Sequence, residues 1–212
     1  VKFSRRLVPL ALLLAAFEAI AQRASSQSLS TATQQMSLSA WGGATGTYIN
    51  LPLGGRNFGI SAGVDLRVWQ FHGILPSVEI RGTYPVSKGT IAAEENALAG
   101  VKLEYPLGSR YHPYVDFLFG RGKMQYQGRG YISPDGLFLY QQTFSNVLSP
   151  GAGVDIDVNH HFALKLDAQL WHMKVPVTTS GSINSLAGTV GVIYRFDFNH
   201  PPKAPRDTRP TH

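Results

Sequence analysis

Apolar and polar residues alternate with a period of two along most of the chain. Ile60, Ala62, Val64, Leu66 and Val68 alternate with Ser61, Gly63, Asp65, Arg67 and Trp69. Successive side chains of a strand point to opposite faces, so this pattern predicts a strand with one apolar and one polar face. It recurs in Val78, Ile80 and Tyr84 against Ser77, Glu79, Arg81 and Thr83, and in Ala97, Ala99, Val101, Leu103 and Tyr105 against Gly100, Lys102 and Glu104. It continues in Val115, Phe117 and Phe119 against Tyr114, Asp116 and Gly120, then in Leu148, Ala152, Val154, Ile156 and Val158 against Ser149, Gly151, Gly153, Asp155 and Asp157. Leu164, Leu166, Ala168 and Leu170 alternate with Lys165, Asp167 and Gln169; Val190, Val192, Tyr194, Phe196 and Phe198 alternate with Thr189, Gly191, Arg195 and Asp197. A weaker segment from Met36 to Tyr48 sets Met36, Leu38 and Ala40 opposite Ser37, Ser39 and Trp41. The pattern predicts eight strands, joined as antiparallel neighbours, with no helical stretch between them.

The predicted connections differ in length. The first, third, fifth and seventh are long, roughly residues 50–57, 85–96, 127–144 and 175–184; the second, fourth and sixth are shorter, residues 70–73, 106–113 and 159–161. Short turns at one end and long loops at the other are expected of a β-barrel in an outer membrane, with its turns in the periplasm. The expected fold is therefore all-β, an eight-stranded antiparallel up-and-down transmembrane β-barrel over residues 36–198. In such a barrel the apolar faces meet lipid and the polar faces line a lumen just wide enough for side chains to fill. The polar faces carry Asp65, Arg67, Glu79, Arg81, Lys102, Glu104, Asp116, Asp155, Asp157, Lys165, Asp167, Arg195 and Asp197. Isolated buried charges are costly, so these residues form a candidate lumen ion-pair network, with transport or catalysis as the other roles open to them. Gly63, Gly100, Gly120, Gly151, Gly153 and Gly191 on the same faces would leave room for long Arg and Lys chains.

Composition narrows the class. Of 212 residues only 15% are charged, against roughly 25% in a soluble domain, while the apolar share of 43% is ordinary. Low charge without low hydrophobicity argues against disorder, and the lack of long apolar runs argues against a bundle of membrane helices. The absence of Cys removes disulfides, Cys-based metal sites and thiol chemistry. Lys2, Arg5 and Arg6, the apolar run Leu7 to Phe17, and Ala19-Ile20-Ala21 form the pattern of a secretory signal peptide over residues 1–21. Residues 22–35 are Ser-, Thr- and Gln-rich and are expected to be a disordered leader; residues 199–212, with Pro201, Pro202, Pro205 and Pro210, are expected to be a flexible tail. Without residues 1–21 the chain has 16 basic and 12 acidic residues. It has no basic stripe with interleaved aromatics, so nucleic acid is not an expected partner.

The last strand adds an aromatic rim. Tyr194, Phe196 and Phe198 share the apolar face near one end, as in the aromatic girdles at membrane–water interfaces. The run Gly188 to Phe198 resembles the terminal strand of bacterial outer-membrane proteins. His112-Pro113-Tyr114-Val115 and Pro150-Gly151-Ala152-Gly153-Val154-Asp155 resemble the fifth and sixth strands of the small OmpA-like, opacity-type β-barrel family. The resemblance covers roughly residues 36–198. It implies outer-membrane location, a last strand recognised by the barrel-assembly machinery, and a structural, adhesive or weakly pore-forming role. One departure is the 14-residue segment after Phe198, which is too short for a peptidoglycan-binding domain. A second is Arg121 and Lys123, which strict alternation places on the lipid face, where a mid-bilayer cation costs roughly 2–4 kcal/mol. Either Gly120-Arg121-Gly122 is a bulge that flips the parity, or the apolar band ends near Phe119.

Catalytic and cofactor chemistry is weakly signalled. Lipid-modifying barrels include deacylases with His and Ser two apart on a strand, and no His-x-Ser occurs here. His72, His112, His160 and His161 fall in predicted short turns. His172 lies near the opposite rim, and Ser133 and Asp135 lie in the longest loop; nothing in their spacing enforces a triad. Adjacent His160 and His161 on a strand would point apart, so neither a metal nor a cofactor is expected. Loop 127–144 holds Tyr131, Phe138 and Tyr140 around the turn signal Ser133-Pro134-Asp135-Gly136. A hairpin there would offer its aromatics either to a surface partner or to cross-strand packing. The expected protein is a monomeric, non-enzymatic barrel in contact with outer-membrane lipid. Its expected role is structural or surface-interacting, with a charge-filled, narrow or closed lumen. Its rivals are a small-solute porin or channel, a soluble lipocalin-like ligand-binding barrel and a lipid-modifying enzyme.

Overall fold

The structure, a computed structural model, describes residues 37–51, 55–67, 72–89 and 91–196. The strands are β1 (Ser37–Ile49), β2 (Arg56–Arg67), β3 (Leu75–Ser87), β4 (Ala92–Glu104), β5 (Tyr111–Tyr126), β6 (Tyr131–Ile132), β7 (Leu139–Tyr140), β8 (Gln142–Asp157), β9 (Phe162–Lys174) and β10 (Ser182–Phe196). Eight of them close an antiparallel barrel in chain order, and β10 returns to β1; β6 and β7 form a separate two-stranded ribbon. At the closing seam Leu38 lies opposite Phe196 and Ile49 opposite Ser185. Closure leaves no strand edge in the barrel wall, which is the condition for a sheet to cross lipid. An even strand number puts the start of β1 and the end of β10 at one rim, shared with connections 68–74, 105–110 and 158–161. This is called the turn rim, and the opposite end the loop rim.

Burial is inverted relative to a soluble barrel. Outward side chains are apolar and exposed, as at Phe117 (57%) and Val190 (61%), whereas inward Glu79, Lys102 and Lys165 are at 1% or less. A lipocalin-like barrel requires the reverse orientation.

Loop lengths depart from expectation. The loop-rim connections are residues 50–55, 88–91, 127–141 and 175–181, so only one is long and the predicted sorting by length is absent. The strands run on past the apolar band. β4 begins at Ala92, and its first residues pair with the end of β5, Ala92 opposite Tyr126 and Glu94 opposite Met124. Outward positions there are polar, as at Glu95 and Lys123, so the sequence loses its period of two while the ladder continues.

β5 keeps its parity. Gly120, Arg121 and Gly122 pair in unbroken register with Leu98, Ala97 and Asn96 on one side and with Val147, Asn146 and Ser145 on the other. No bulge intervenes, so Arg121 and Lys123 face outward and the apolar band ends near Phe119. Arg121 Nη1 donates to Asn146 Oδ1 at 3.0 Å, and Lys123 Nζ lies 3.1 Å from Glu95 Oε1. At the edge of the bilayer an outward cation costs only about 0–1 kcal/mol.

The 127–141 connection carries the β6–β7 hairpin. Ser133 N donates to Phe138 O at 2.8 Å, and Gly136 takes the left-handed conformation (φ 74°) that the turn requires. Ser133 Oγ donates to Asp135 Oδ1, and the Leu137 amide donates to the same oxygen at 3.2 Å. These donors hold the Asp135 carboxyl below the ordinary carboxylate range. The expected signal peptide (1–21), leader (22–35), Asp197, Phe198 and tail (199–212) lie outside the described residues.

Candidate functional site on the inner face of the barrel

Strand alternation alone decides which side chains point inward, and from the turn rim they fall into tiers. At the mouth, Arg67 Nη2 donates to Glu104 Oε1 at 2.8 Å and Arg195 Nη1 lies 2.6 Å from Asp157 Oδ1. His112 bridges these pairs, with Nδ1 3.1 Å from Glu104 Oε1 and Nε2 3.1 Å from Asp157 Oδ2. A pocket among Arg67, Glu104, Asp155 and Arg195 has a volume of about 10 Å³, space for about one water. One tier deeper, Lys102 Nζ lies 2.6 Å from Asp155 Oδ2, 3.5 Å from Asp65 Oδ2 and 3.7 Å from Glu104 Oε2.

The next charged tier centres on Arg81. Its Nε donates to Glu79 Oε1 at 2.7 Å, its Nη1 to Asp167 Oδ2 at 2.8 Å, and its Nη2 to Asp116 Oδ2 at 3.3 Å. Three carboxylates on three strands thus share one guanidinium, whose planar fork of donors suits that task. Gln169 Nε2 donates to Asp116 Oδ1 at 2.9 Å and to Asp167 Oδ1 at 3.0 Å, and Gln169 Oε1 accepts from Ser149 at 2.6 Å.

Aromatic rings support the cations. Lys165 Nζ is 4.0 Å from Asp155 Oδ1 and sits over the rings of Tyr114 (4.4 Å) and Trp41 (4.8 Å). Lys102 Nζ approaches Tyr114 at 4.1 Å and Arg81 approaches Trp41 at 5.1 Å. Desolvated cation–π contacts are worth about 2 kcal/mol and offset part of the cost of burying the charge. Gly63 and Gly153 make room for these rings rather than for the Lys and Arg chains. A Cβ on Gly63 would lie 2.8 Å from the Trp41 indole, and one on Gly153 would collide with the Tyr114 phenol.

Beyond Arg81 the inner face changes character. On one wall a chain of hydroxyls crosses four strands: Thr189 to Thr45 (2.8 Å), Thr45 to Ser61 (2.6 Å) and Ser61 to Thr83 (2.8 Å). On the other wall Leu98, Leu118, Met124, Val147, Trp171 and Met173 form a fully buried apolar cluster that reaches the loop rim.

Twelve of the thirteen charged residues picked from the sequence are described, and each lies within 4.0 Å of an opposite charge. His112, Trp41 and the apolar cluster were not among them. His112 shares its inward parity with Tyr114 and Asp116, which is the signal that could have found it. Of the aromatic rim, Tyr194 packs edge-on against Phe196 (5.0 Å) and Phe162 (5.3 Å) on the outward face at the turn rim. The conceivable triad does not assemble: His172 Nδ1 is 2.8 Å from Asn184 Oδ1, Ser133 bonds Asp135, and no described contact joins the two pairs.

A closed antiparallel barrel that turns its apolar faces outward and buries its charges inward is built for lipid. The chain folds as an outer-membrane β-barrel. No protein-family model matches it, and no curated relative does. Among solved structures it is similar to Neisserial surface protein A, NspA (14% identity, TM-score 0.48, over 75% of this chain and 97% of that one). It is similar also to Ail, the attachment invasion locus protein of Yersinia pestis (12%, 0.48, 76% and 99%), and to the outer membrane enzyme PagL (15%, 0.41, 76% and 99%). At these identities the likeness is one of fold.

Proposed function

We propose that this barrel is a closed, non-catalytic wall element of the outer membrane with a structural or surface-interaction role. The observation that carries the reading is the double filling of the inner face: paired charges toward the turn rim, and a fully buried apolar cluster toward the loop rim. A steady aqueous path would have to cross both. The ion-pair network serves as a plug, and the mouth pocket admits about one water. The barrel works as a monomer, is assembled through its last strand, and presents the β6–β7 hairpin, with Leu137 and Phe138 exposed at its tip, to a surface partner.

Single-channel recording in a planar bilayer tests the closed lumen. The wild-type chain is expected to pass no steady current at moderate salt. Reproducible ohmic steps would sink the reading in favour of a small-solute porin.

A further inference from the structure

The outward face has a recess at the seam. Gly46 on β1 lies opposite Gly188 on β10, which lies opposite Ala168 on β9. These residues floor a groove of about 390 Å³ on the lipid side, bordered by Tyr48 and Leu186 and, toward the loop rim, by Arg56.

Two features define the groove. A Cβ on Gly46 or Gly188 would meet nothing within 4 Å. By contrast, a Cβ on inward-facing Gly43 would lie 2.6 Å from the Gly191 Cα, and one on Gly191 would lie 2.7 Å from the Gly42 carbonyl oxygen. The barrel needs the second pair of glycines to close and has no steric need of the first. The other feature is Arg56. It is exposed, opposite Tyr48 in the ladder, and makes no ion pair or hydrogen bond among the described residues. Arg121 and Lys123, at the same rim, are paired with Asn146 and Glu95.

An apolar slot continuous with the lipid-facing band, ending in an unpaired guanidinium at headgroup level, is complementary to an acyl chain on a phosphate-bearing headgroup. Guanidinium binds phosphate through paired, charge-assisted hydrogen bonds. We propose that the groove seats one acyl chain of a phosphorylated lipid of the outer leaflet, with its phosphate on Arg56. This rests on the outer-membrane reading, in which the loop rim faces that leaflet.

The test uses the full chain refolded into lipid vesicles, with insertion checked by the heat-dependent shift on a gel. Native mass spectrometry then measures retention of lipid A and of dephosphorylated lipid A by the wild type, Arg56→Gln and Gly188→Leu. Both variants are expected to retain lipid A about tenfold less, the loss expected for one charge-assisted phosphate contact or for a filled slot. The dephosphorylated lipid is expected to be insensitive to Arg56→Gln and to be lost with Gly188→Leu. Equal lipid A retention by all three inserted proteins would overturn the proposal. So would a wild-type dimer that Gly188→Leu dissociates, since a second copy would then occupy the groove. A wild-type chain that fails to insert would instead remove the outer-membrane reading itself.

Discussion

The two halves of the inner face solve one packing problem with opposite chemistry. Toward the turn rim, Arg81, Lys102 and Lys165 hold carboxylates from six strands within 4.0 Å. Toward the loop rim, Leu98, Leu118, Met124, Trp171 and Met173 fill the same cross-section with apolar side chains, around the buried carboxyl of Glu94. Charged packing is stable only as a complete set, because removing one partner leaves the others buried and unpaired. Apolar packing degrades one side chain at a time, in proportion to the void left behind.

The largest effect is therefore expected at Arg81. Arg81→Met strands Glu79, Asp116 and Asp167 together and should cost about 3–5 kcal/mol, measured by urea unfolding in detergent micelles. Adding Asp116→Asn and Asp167→Asn should recover part of that loss. If it recovers none, the charged half is not one that is stable only as a complete set.

Met173→Ala in the apolar half should cost about 2–5 kcal/mol by cavity formation. The same pair of Asn substitutions should leave that loss unchanged. Thermal melts of the single and combined variants provide the comparison.

The smallest effect lies outside both halves. Asp135 is held ionised by Ser133 and Leu137, so its folded value is below its unfolded one. The stabilisation of the hairpin turn is then fully present above the ordinary Asp range and is lost as pH falls through the lower folded value. Hydrogen exchange at the Leu137 amide should follow that course. Asp135→Asn should remove the acid step without shifting the unfolding midpoint of the barrel.

The halves also differ in how well they could be foreseen. The charged half was legible because each inward charge is flanked by outward apolar residues: Lys165 between Leu164 and Leu166, Asp116 between Val115 and Phe117. A period of two is visible only where the two faces differ. Leu118 lies between Phe117 and Phe119, and Leu98 between Ala97 and Ala99, so contrast vanishes where both faces are apolar. It vanishes again at the loop rim, where both faces turn polar. That is why β4 was expected to start later than Ala92 and a long loop was expected where residues 88–91 suffice. The hydroxyl chain was beyond reach, because Thr and Ser carry little hydrophobic signal and their partners lie on other strands.

That chain also acts as a gauge of correct closure. Its link between Thr45 and Thr189 joins residues 144 apart in sequence, across the seam where the first and last strands meet. A one-residue slip of β10 would turn its apolar side inward. A two-residue slip would keep the faces but set Ala187 or Gly191 against Thr45, ending the relay, and would bring Thr189 or Ile193 against Gly43, where only glycine now fits. The seam thus accepts one alignment, and the barrel can tell from four small alcohols whether it has been fastened in the right hole.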